Sequence, residues 1–551
     1  MTENENTTVE KETGADKSPI ELLSPKTQQG QLAVKECTLA GNDANVRPIN
    51  ITGLVSNITM FEDITKPFLT GRLSIMDGID LVKNFKLKGQ ESLTLSICQI
   101  EQTGEGEPVE CEPENAINKV FRVYGISEFK KDYNENYSTY ILHFTDPKYF
   151  TCERTRLNQV YRNSYSNMLL EVLRDECGFK YTEDFEGEGI DFWDDSSPQS
   201  MQVVAPNWNV NRFIKFITEN ADMKENKTWK NSMFFYQTAN GGFRFSSFQS
   251  MLKREFPLPF TYHGRNATAV NDLNDPEKGV NTQIMSIEFP QRFNTVKGVK
   301  QGAYASKMIA YDPVRKVHEE TVYDMKKLYD KTDTTSHVSG HPMIILGEEE
   351  ITYRSFKTVE TSDTTKEEWW VDSTPNEAYD SKVVYKTNMT NSFSDEAKLI
   401  DASGNIEVTQ PRGVEYRDSS TLERQALLSV FEQNTIKATI PFRSDISVGT
   451  VVKFNIPTSE LRGGGVDKVE FEDAKKPNKL QDDRYLITRI AYTISPIDAR
   501  GALTLFCVKE SFGTDIKEYK PLGDSYGQDQ VQIHIDRWVQ EMNEEEDARN
   551  E

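Results

Sequence analysis

Between Ile49 and Gln99 apolar and polar residues alternate at a period that admits one kind of backbone. Leu69, Leu73 and Ile75 fall on one side of a short run, with Thr70, Arg72 and Ser74 on the other. That is the period of a half-buried strand, because successive side chains of a strand point to opposite faces. Leu93, Leu95 and Ile97 alternate in the same way with Thr94, Ser96 and Cys98, and Ile51, Leu54 and Ile58 open a further apolar run that ends at Met60-Phe61. Asp77-Gly78 supplies a turn, with Gly78 the residue able to take positive φ without a Cβ clash. The spacing predicts a small antiparallel barrel or sandwich closing on itself.

The strand period continues in 121–129 and 137–144, a hairpin with a longer polar loop, and the first unit is expected to end near Pro147. The character then changes. Ser166 is placed to cap a helix whose Leu169, Val172, Leu173 and Cys177 share one face. Val210, Phe213, Ile214, Ile217 and Ala221 follow the spacing of a second helix. Phe234 and Tyr236, then Phe243 and Phe245, flank Ala239-Asn240-Gly241-Gly242 as the two strands of a hairpin. Residues 285–325 read as strand again, and 325–432 are polar, ending in a helix with Leu427, Val430 and Phe431 facing inward. From Thr435 to Phe512 at least four strands follow in barrel-like order, interrupted by the long polar stretch 461–483.

Charge narrows the function. Lys and Arg total 64 against 87 Asp and Glu, a net charge of -23. A duplex-gripping surface needs clustered cations, so specific nucleic-acid binding is not expected, and an acidic surface instead suits a conduit through which DNA slides. No apolar run approaches the ~18 residues of a membrane span. The opening residues carry no apolar core and read as a disordered tail, not a signal peptide. Six cysteines, Cys37, Cys98, Cys111, Cys152, Cys177 and Cys507, are scattered without CxxC, which fits small core thiols made in a reducing cytosol.

The opening stretch resembles a specific family. Phe61-Glu62-Asp63, then Pro67-Phe68-Leu69-Thr70-Gly71, Ser74-Ile75-Met76-Asp77 and Lys88-Gly89-Gln90-Glu91 before a strand, look like the first barrel of the central baseplate hub proteins of contractile-tailed bacteriophages. Ala205-Pro206-Asn207-Trp208 before an amphipathic helix, the aromatic hairpin, and Gly302-Ala303-Tyr304-Ala305-Ser306 before Asp312-Pro313 continue the likeness. Ser447-Val448-Gly449 before Val451-Val452-Lys453-Phe454 resembles the family's closing barrel. The resemblance runs from about Val34 to Phe512 and rests on the shared order; 461–483 is a departure, longer and more polar than a barrel needs.

The resemblance implies an α+β fold of two antiparallel β-barrel domains, the second discontinuous, with an inserted mixed α/β and helical region. The expected division is 1–30, an acidic N-terminal tail; 31–150, the first barrel; 151–280, a mixed α/β domain; 281–324 plus 433–512, the second barrel; 325–432, an inserted polar and helical region; and 513–551, a C-terminal tail with a short amphipathic helix. It also implies a structural virion protein of the tail baseplate, synthesised in the host cytoplasm. This would be a homotrimeric ring that adapts a six-fold tail tube to a three-fold spike and passes DNA. Its partners would be copies of itself, a tail-tube or tube-initiator protein, the spike and baseplate wedge proteins, with no cofactor and no catalysis. The alternatives are a tail-associated cell-wall hydrolase on a hub-like scaffold and a glycan-binding receptor protein.

Chemical motifs argue weakly. His337 and His341 have ligand-like spacing but lack the Glu that zinc proteases place beside the first His, so loop histidines are favoured. The acidic run Glu183, Asp184, Glu186, Glu188, Asp191, Asp194 and Asp195 departs from calcium-loop spacing and reads as a solvated loop. Gly463-Gly464-Gly465 lacks the Lys-Ser/Thr of a phosphate loop, and no Gly-x-Ser-x-Gly elbow is present. A glycosidase pair has no spacing rule and can hide among 87 carboxylates. Trp208, Phe213 and Phe216 can form a sugar platform, but aromatics on an amphipathic helix are more often core. Near the C-terminus, Ile535, Trp538, Val539 and Met542 make one apolar stripe on a short helix that cannot bury itself alone, a candidate partner-docking face.

Overall fold

The computed structural model describes residues 30–41, 47–102, 108–109, 116–131, 137–181, 189–196, 201–223, 232–262, 282–291, 294–312, 317–325, 341–342, 353–360, 365–372, 382–387, 397–400, 406–409, 414–432, 434–456 and 484–512. The opening strands are β1 (Leu32–Ala40), β2 (Val55–Asp63), β3 (Thr70–Asp77), β4 (Ser92–Gln99), β5 (Ala116–Lys131) and β6 (Ser138–Thr145). The alternation holds except at Cys98, expected on the polar side but buried beside Ile97. Leu73 and Ile75 on β3, and Leu93, Leu95 and Ile97 on β4, are buried, and Leu69 lies buried just before β3. The turn after β3 works differently from expectation. Asp77 is buried and its carboxylate accepts from the Ile79 and Leu81 amides at 2.9 and 2.7 Å. The positive φ belongs to Asp80, at 51°, and not to Gly78.

Helix α1 (Pro147–Arg154) starts at the proline that was expected to end the first unit, capped by Asp146, which accepts from the Lys148 amide at 2.7 Å. In α2 (Tyr165–Glu171), which continues as a wider turn to Glu176, the cap is Ser164 and not Ser166. Ser166 lies inside the helix and is buried, where its amide donates to Ser196 Oγ at 2.9 Å. Strand β7 (Gly189–Trp193), helix α3 (Val210–Asn220) and the hairpin β8 (Met233–Gln237) and β9 (Phe243–Ser247) complete the middle of the chain. Helix α3 buries Val210, Phe213, Ile214 and Ile217 as its spacing predicts, with Asn209 as cap.

Further along come β10 (Ser286–Gln291), α4 (Thr295–Gln301), β11 (Ala305–Asp312), β12 (Val317–Asp324), β13 (Val383–Thr387) and α5 (Val414–Phe431). Helix α4 interrupts a stretch expected to be strand throughout; Asn294 caps it and Gly302, at φ 77°, ends it. Leu427, Val430 and Phe431 of α5 are buried as expected. The chain closes with β14 (Thr435–Pro441), β15 (Val451–Asn455), β16 (Arg484–Ser495) and β17 (Arg500–Val508).

The architecture is α+β and mostly antiparallel. One sheet of 13 strands runs β10-β14-β17-β16-β2-β3-β6-β5-β4-β1, ending on Ile49–Asn50, with β15 and Phe260–Thr261 attached beside β16. The early and late strands therefore form one sheet, joined where β2 pairs antiparallel with β16, Ile58 opposite Ile494 and Asp63 opposite Arg489. The path does not return to its start, but an isolated bridge pairs Gln31 with Arg500, and the Gly501 amide donates to the Gly30 carbonyl at 2.8 Å. Gly501 sits tight there: a Cβ would come within 2.6 Å of the Leu32 side chain. Of the stretch 281–324, only β10 enters the large sheet, whereas β11 pairs antiparallel with β12 and parallel with β13 in a separate sheet.

Two apolar cores result. The larger lies under the 13-stranded sheet and draws on both its halves; the smaller gathers α1, α2, α3 and parts of the hairpin. Among the described residues no helix is long and apolar enough to cross a membrane. Cys37, Cys152, Cys177 and Cys507 are buried free thiols, as expected, but Cys98 is disulfide-bonded.

Candidate functional site

The hairpin β8–β9 stands between the two cores. Alternation along β8 sends Phe234 and Tyr236 into the core of the large sheet and Phe235 into that of the helical layer, where Phe243 and Phe245 of β9 join it. A hairpin buried on both faces exposes no backbone to water, so its tip needs protein partners.

Glu62 supplies them. It lies on the inward side of β2 with Ile58 and Met60, an apolar parity, and is 1 % exposed. One carboxylate oxygen accepts from the Ala239 amide at the hairpin tip (2.5 Å) and from Tyr492 Oη on β16 (2.8 Å). The other accepts from the Val448 amide at 3.0 Å. One side chain thus joins a strand of the early half, the hairpin, the Ser447–Gly449 turn and a strand of the late half. Burial pushes the Glu62 carboxyl up, against the three hydrogen bonds and the nearby Arg244. Burial and the adjoining carboxylate also push the Tyr492 phenol well up, so it stays a donor.

Three more contacts fix the hairpin. Gln237 donates to Asp146 at 2.5 Å and accepts from the Leu69 amide at 3.1 Å, tying β8 to the cap of α1 and the start of β3. Lys119, buried on β5, donates to the Gly241 carbonyl. Arg244 Nε donates to both Asp191 oxygens, at 3.1 and 2.9 Å, and its Nη1 reaches Ser447 Oγ at 3.5 Å. Gly241 is needed at the tip because a Cβ there would lie 2.7 Å from both the Asp191 carboxylate and Thr238 Oγ1. Burial pushes the Asp146 carboxyl up.

The chain is similar to solved tail proteins. One is the 43 kDa tail protein of prophage MuSo2 from Shewanella oneidensis, at 12 % identity and a TM-score of 0.42, over 86 % of this chain and 98 % of that one. Another is a tail protein from Neisseria meningitidis MC58, at 10 % and 0.42, over 88 % and 97 %. A third is an Escherichia coli component of the type VI secretion system, itself structurally similar to T4 bacteriophage tail proteins, at 9 % and 0.32, over 87 % and 77 %. No family model matches the chain and no curated protein does. Likeness at this level carries no conclusion about function.

The sequence candidates are dispersed. Asp191 and Asp194 of the acidic run are structural acceptors, Asp191 for Arg244 and Asp194 for the amide and hydroxyl of Ser247. Glu183, Asp184, Glu186 and Glu188 lie outside the described residues, as do His337, Gly463–Gly465 and the stripe Ile535, Trp538, Val539 and Met542. His341 pairs through its backbone with Phe512. Phe213 is core, while Trp208 and Phe216 are half-buried and packed together with ring centroids 5.2 Å apart. Among the described residues no group of three or more His, Cys, Asp and Glu is placed to hold a metal. Large apolar residues are exposed along β5, whose register shifts at two bulges: Val120, Tyr124, Ile126 and Phe129.

Glu62 is the residue that sequence reasoning passed over, although it stands in the Phe-Glu-Asp signal. The clue was its parity: a carboxylate in register with Ile58 and Met60 must either break the strand or find buried donors.

Proposed function

We propose that the chain is a structural virion protein, the central hub of a contractile baseplate, which acts without catalytic chemistry. In this reading three copies form a ring, join a six-fold tail tube or tube initiator to a three-fold spike, touch wedge proteins, and let DNA pass through the middle. The two halves of the large sheet are then two barrels of one chain, the second interrupted by an insertion, so that a trimer offers six similar faces.

The observation that carries this reading is the order of strands about the pairing of β2 with β16. Each half meets that seam with the first strand of a hairpin, β2 or β16, and places the hairpin's second strand, β3 or β17, directly behind it. The two halves thus present the same local arrangement across an antiparallel pair, as a quasi-repeated subunit requires. The apolar residues exposed along β5 supply surface of the kind that interfaces bury.

Sedimentation velocity and native mass spectrometry of the full chain test this. A trimer that appears as a ring with a central opening in negative-stain images is the expected result. A monomer at every concentration, or an assembly of even order, overturns it.

A further inference from the structure

Away from the hairpin junction, two thiols of the helical layer face one another. Cys152 lies in the last turn of α1, and Cys177 ends the turn that continues α2. Their exposures are 0 % and 4 %, and their Sγ atoms are 3.6 Å apart. Both are free.

The surroundings set the pair apart from Cys37 and Cys507, which are buried alone. Lys148, one turn before Cys152 on α1, donates its Nζ to the carbonyls of Cys177 and Gly178 at 3.1 and 2.7 Å. The ammonium is thereby held beside the sulfurs while it also lies over the Phe179 ring. Gly178, at φ 62°, reverses the chain, and the Gly178 and Phe179 amides return to the Arg174 and Leu173 carbonyls at 3.1 and 3.0 Å. That fixed reversal holds Cys177 against α1. The two thiols are also polarised in opposite directions. The hydrogen bond from Cys152 pulls the Cys177 thiol below its usual range, with Lys148 assisting, and the same contact plus burial pushes Cys152 up. Burial, with Glu36 beside it, pushes Cys37 up to about 12, and burial alone pushes Cys507 up.

We propose that Cys152 and Cys177 are a peroxide-sensitive dithiol that closes into a disulfide stapling α1 to the end of the second helix. The Cys177 thiolate attacks one oxygen of hydrogen peroxide; the O–O bond breaks, and the departing hydroxide takes a proton to become water. The resulting sulfenic acid is attacked by the Cys152 sulfur, which gives up its proton as the S–O bond breaks and a second water leaves. Two thiols are oxidised to one disulfide, and one peroxide is reduced to two waters. A disulfide has its sulfurs at about 2.05 Å, so they must approach by about 1.5 Å from their separation of 3.6 Å, within reach of side-chain rotation. The bond would enclose residues 153–176, which include all of α2, so its effect falls on the helical layer.

The test uses the intact chain, treated with hydrogen peroxide, alkylated under denaturing conditions and digested with trypsin without reductant. The expected product joins peptide 149–154 to peptide 175–180, lighter by two hydrogens than the separate pair and released by dithiothreitol. Cys37 and Cys507 should stay alkylated in the same sample, and the oxidised chain should melt at a higher temperature than the reduced one. Recovery of Cys152 and Cys177 as separately alkylated peptides overturns the proposal, and so does Cys177 carried on to sulfinic acid with Cys152 left free. In Cys152→Ser the reaction should stop at the sulfenic acid, trapped by dimedone at Cys177. If that variant fails to fold, the digest of the unsubstituted chain still decides.

Discussion

At the scale of single residues, the strongest constraint is a buried carboxylate that must keep three donors satisfied. Glu62→Gln keeps one acceptor oxygen for Ala239 and Tyr492 but turns an amide NH2 toward the Val448 amide, donor against donor. Leaving a buried donor unpaired costs about 1–3 kcal/mol, and the variant should lose that much stability in urea unfolding. The pH dependence has a definite sign. Burial raises the Glu62 carboxyl in the folded chain above its ordinary 4.5, so the folded state holds the proton more tightly than the unfolded one. Its contribution is fully present below 4.5 and is lost as pH rises through the raised value, so the gap between parent and variant should narrow from acid toward neutral pH. A gap that widens toward neutral pH would mean that the three hydrogen bonds outweigh burial. Gly449 is the second residue-scale case. It holds φ at 76°, its amide donates to the Ile487 carbonyl at 2.9 Å, and a Cβ there would collide with Tyr236 Oη. Gly449→Ala combines left-handed strain with overpacking and should cost about 2–4 kcal/mol, read as a lower urea midpoint at unchanged m-value.

At the scale of elements, what the sequence made legible was local. Period two fixed β3 and β4, period 3.6 fixed α3, and the Gly-Gly tip between aromatic runs fixed β8 and β9, because each signal lies within one element and its burial. The cap of α2 was misplaced by two residues because Ser164 and Ser166 are chemically alike; burial of Ser166 beside Ser196 separates them, and burial is a tertiary fact. Helix α4 escaped because its Val296 and Val299, spaced by a lysine and a glycine, make no wide apolar face, and its cap Asn294 sits beside strand-like residues. The seam between β2 and β16 was not legible at all. Its strands are separated by some 430 positions, as Glu62 and Tyr492 are, and no period in either strand names its neighbour. Proline tests that seam. Thr493 is exposed on β16, paired on both sides, so Thr493→Pro deletes a ladder hydrogen bond without opening the core. Hydrogen exchange should then accelerate together across 55–63 and 484–495. Acceleration confined to the late strands would mean that the halves open independently.

At the scale of the whole molecule, charge and apolar surface oppose each other. Each chain carries a net charge of -23, and bringing three copies together concentrates that repulsion. In the proposed trimer, association is favoured by non-directional burial of apolar surface, for which Val120, Tyr124, Ile126 and Phe129 are exposed, and dissolved salt does not screen it. Screening acts on the repulsion alone: the Debye length is about 30 Å at 0.01 M salt and about 3 Å at 1 M. The fraction of trimer at fixed chain concentration should therefore rise as salt is added, with sedimentation velocity as the measurement. An interface held by ion pairs between copies would respond in the opposite direction, dissociating as salt screens the attraction. The same series reports on DNA, since a chain that grips a duplex binds it most tightly at low salt. Here low salt should give neither a retained duplex nor a trimer, and high salt should give the trimer alone. A duplex retained at low salt would assign this chain a gripping cationic face and remove the argument that DNA slides past it.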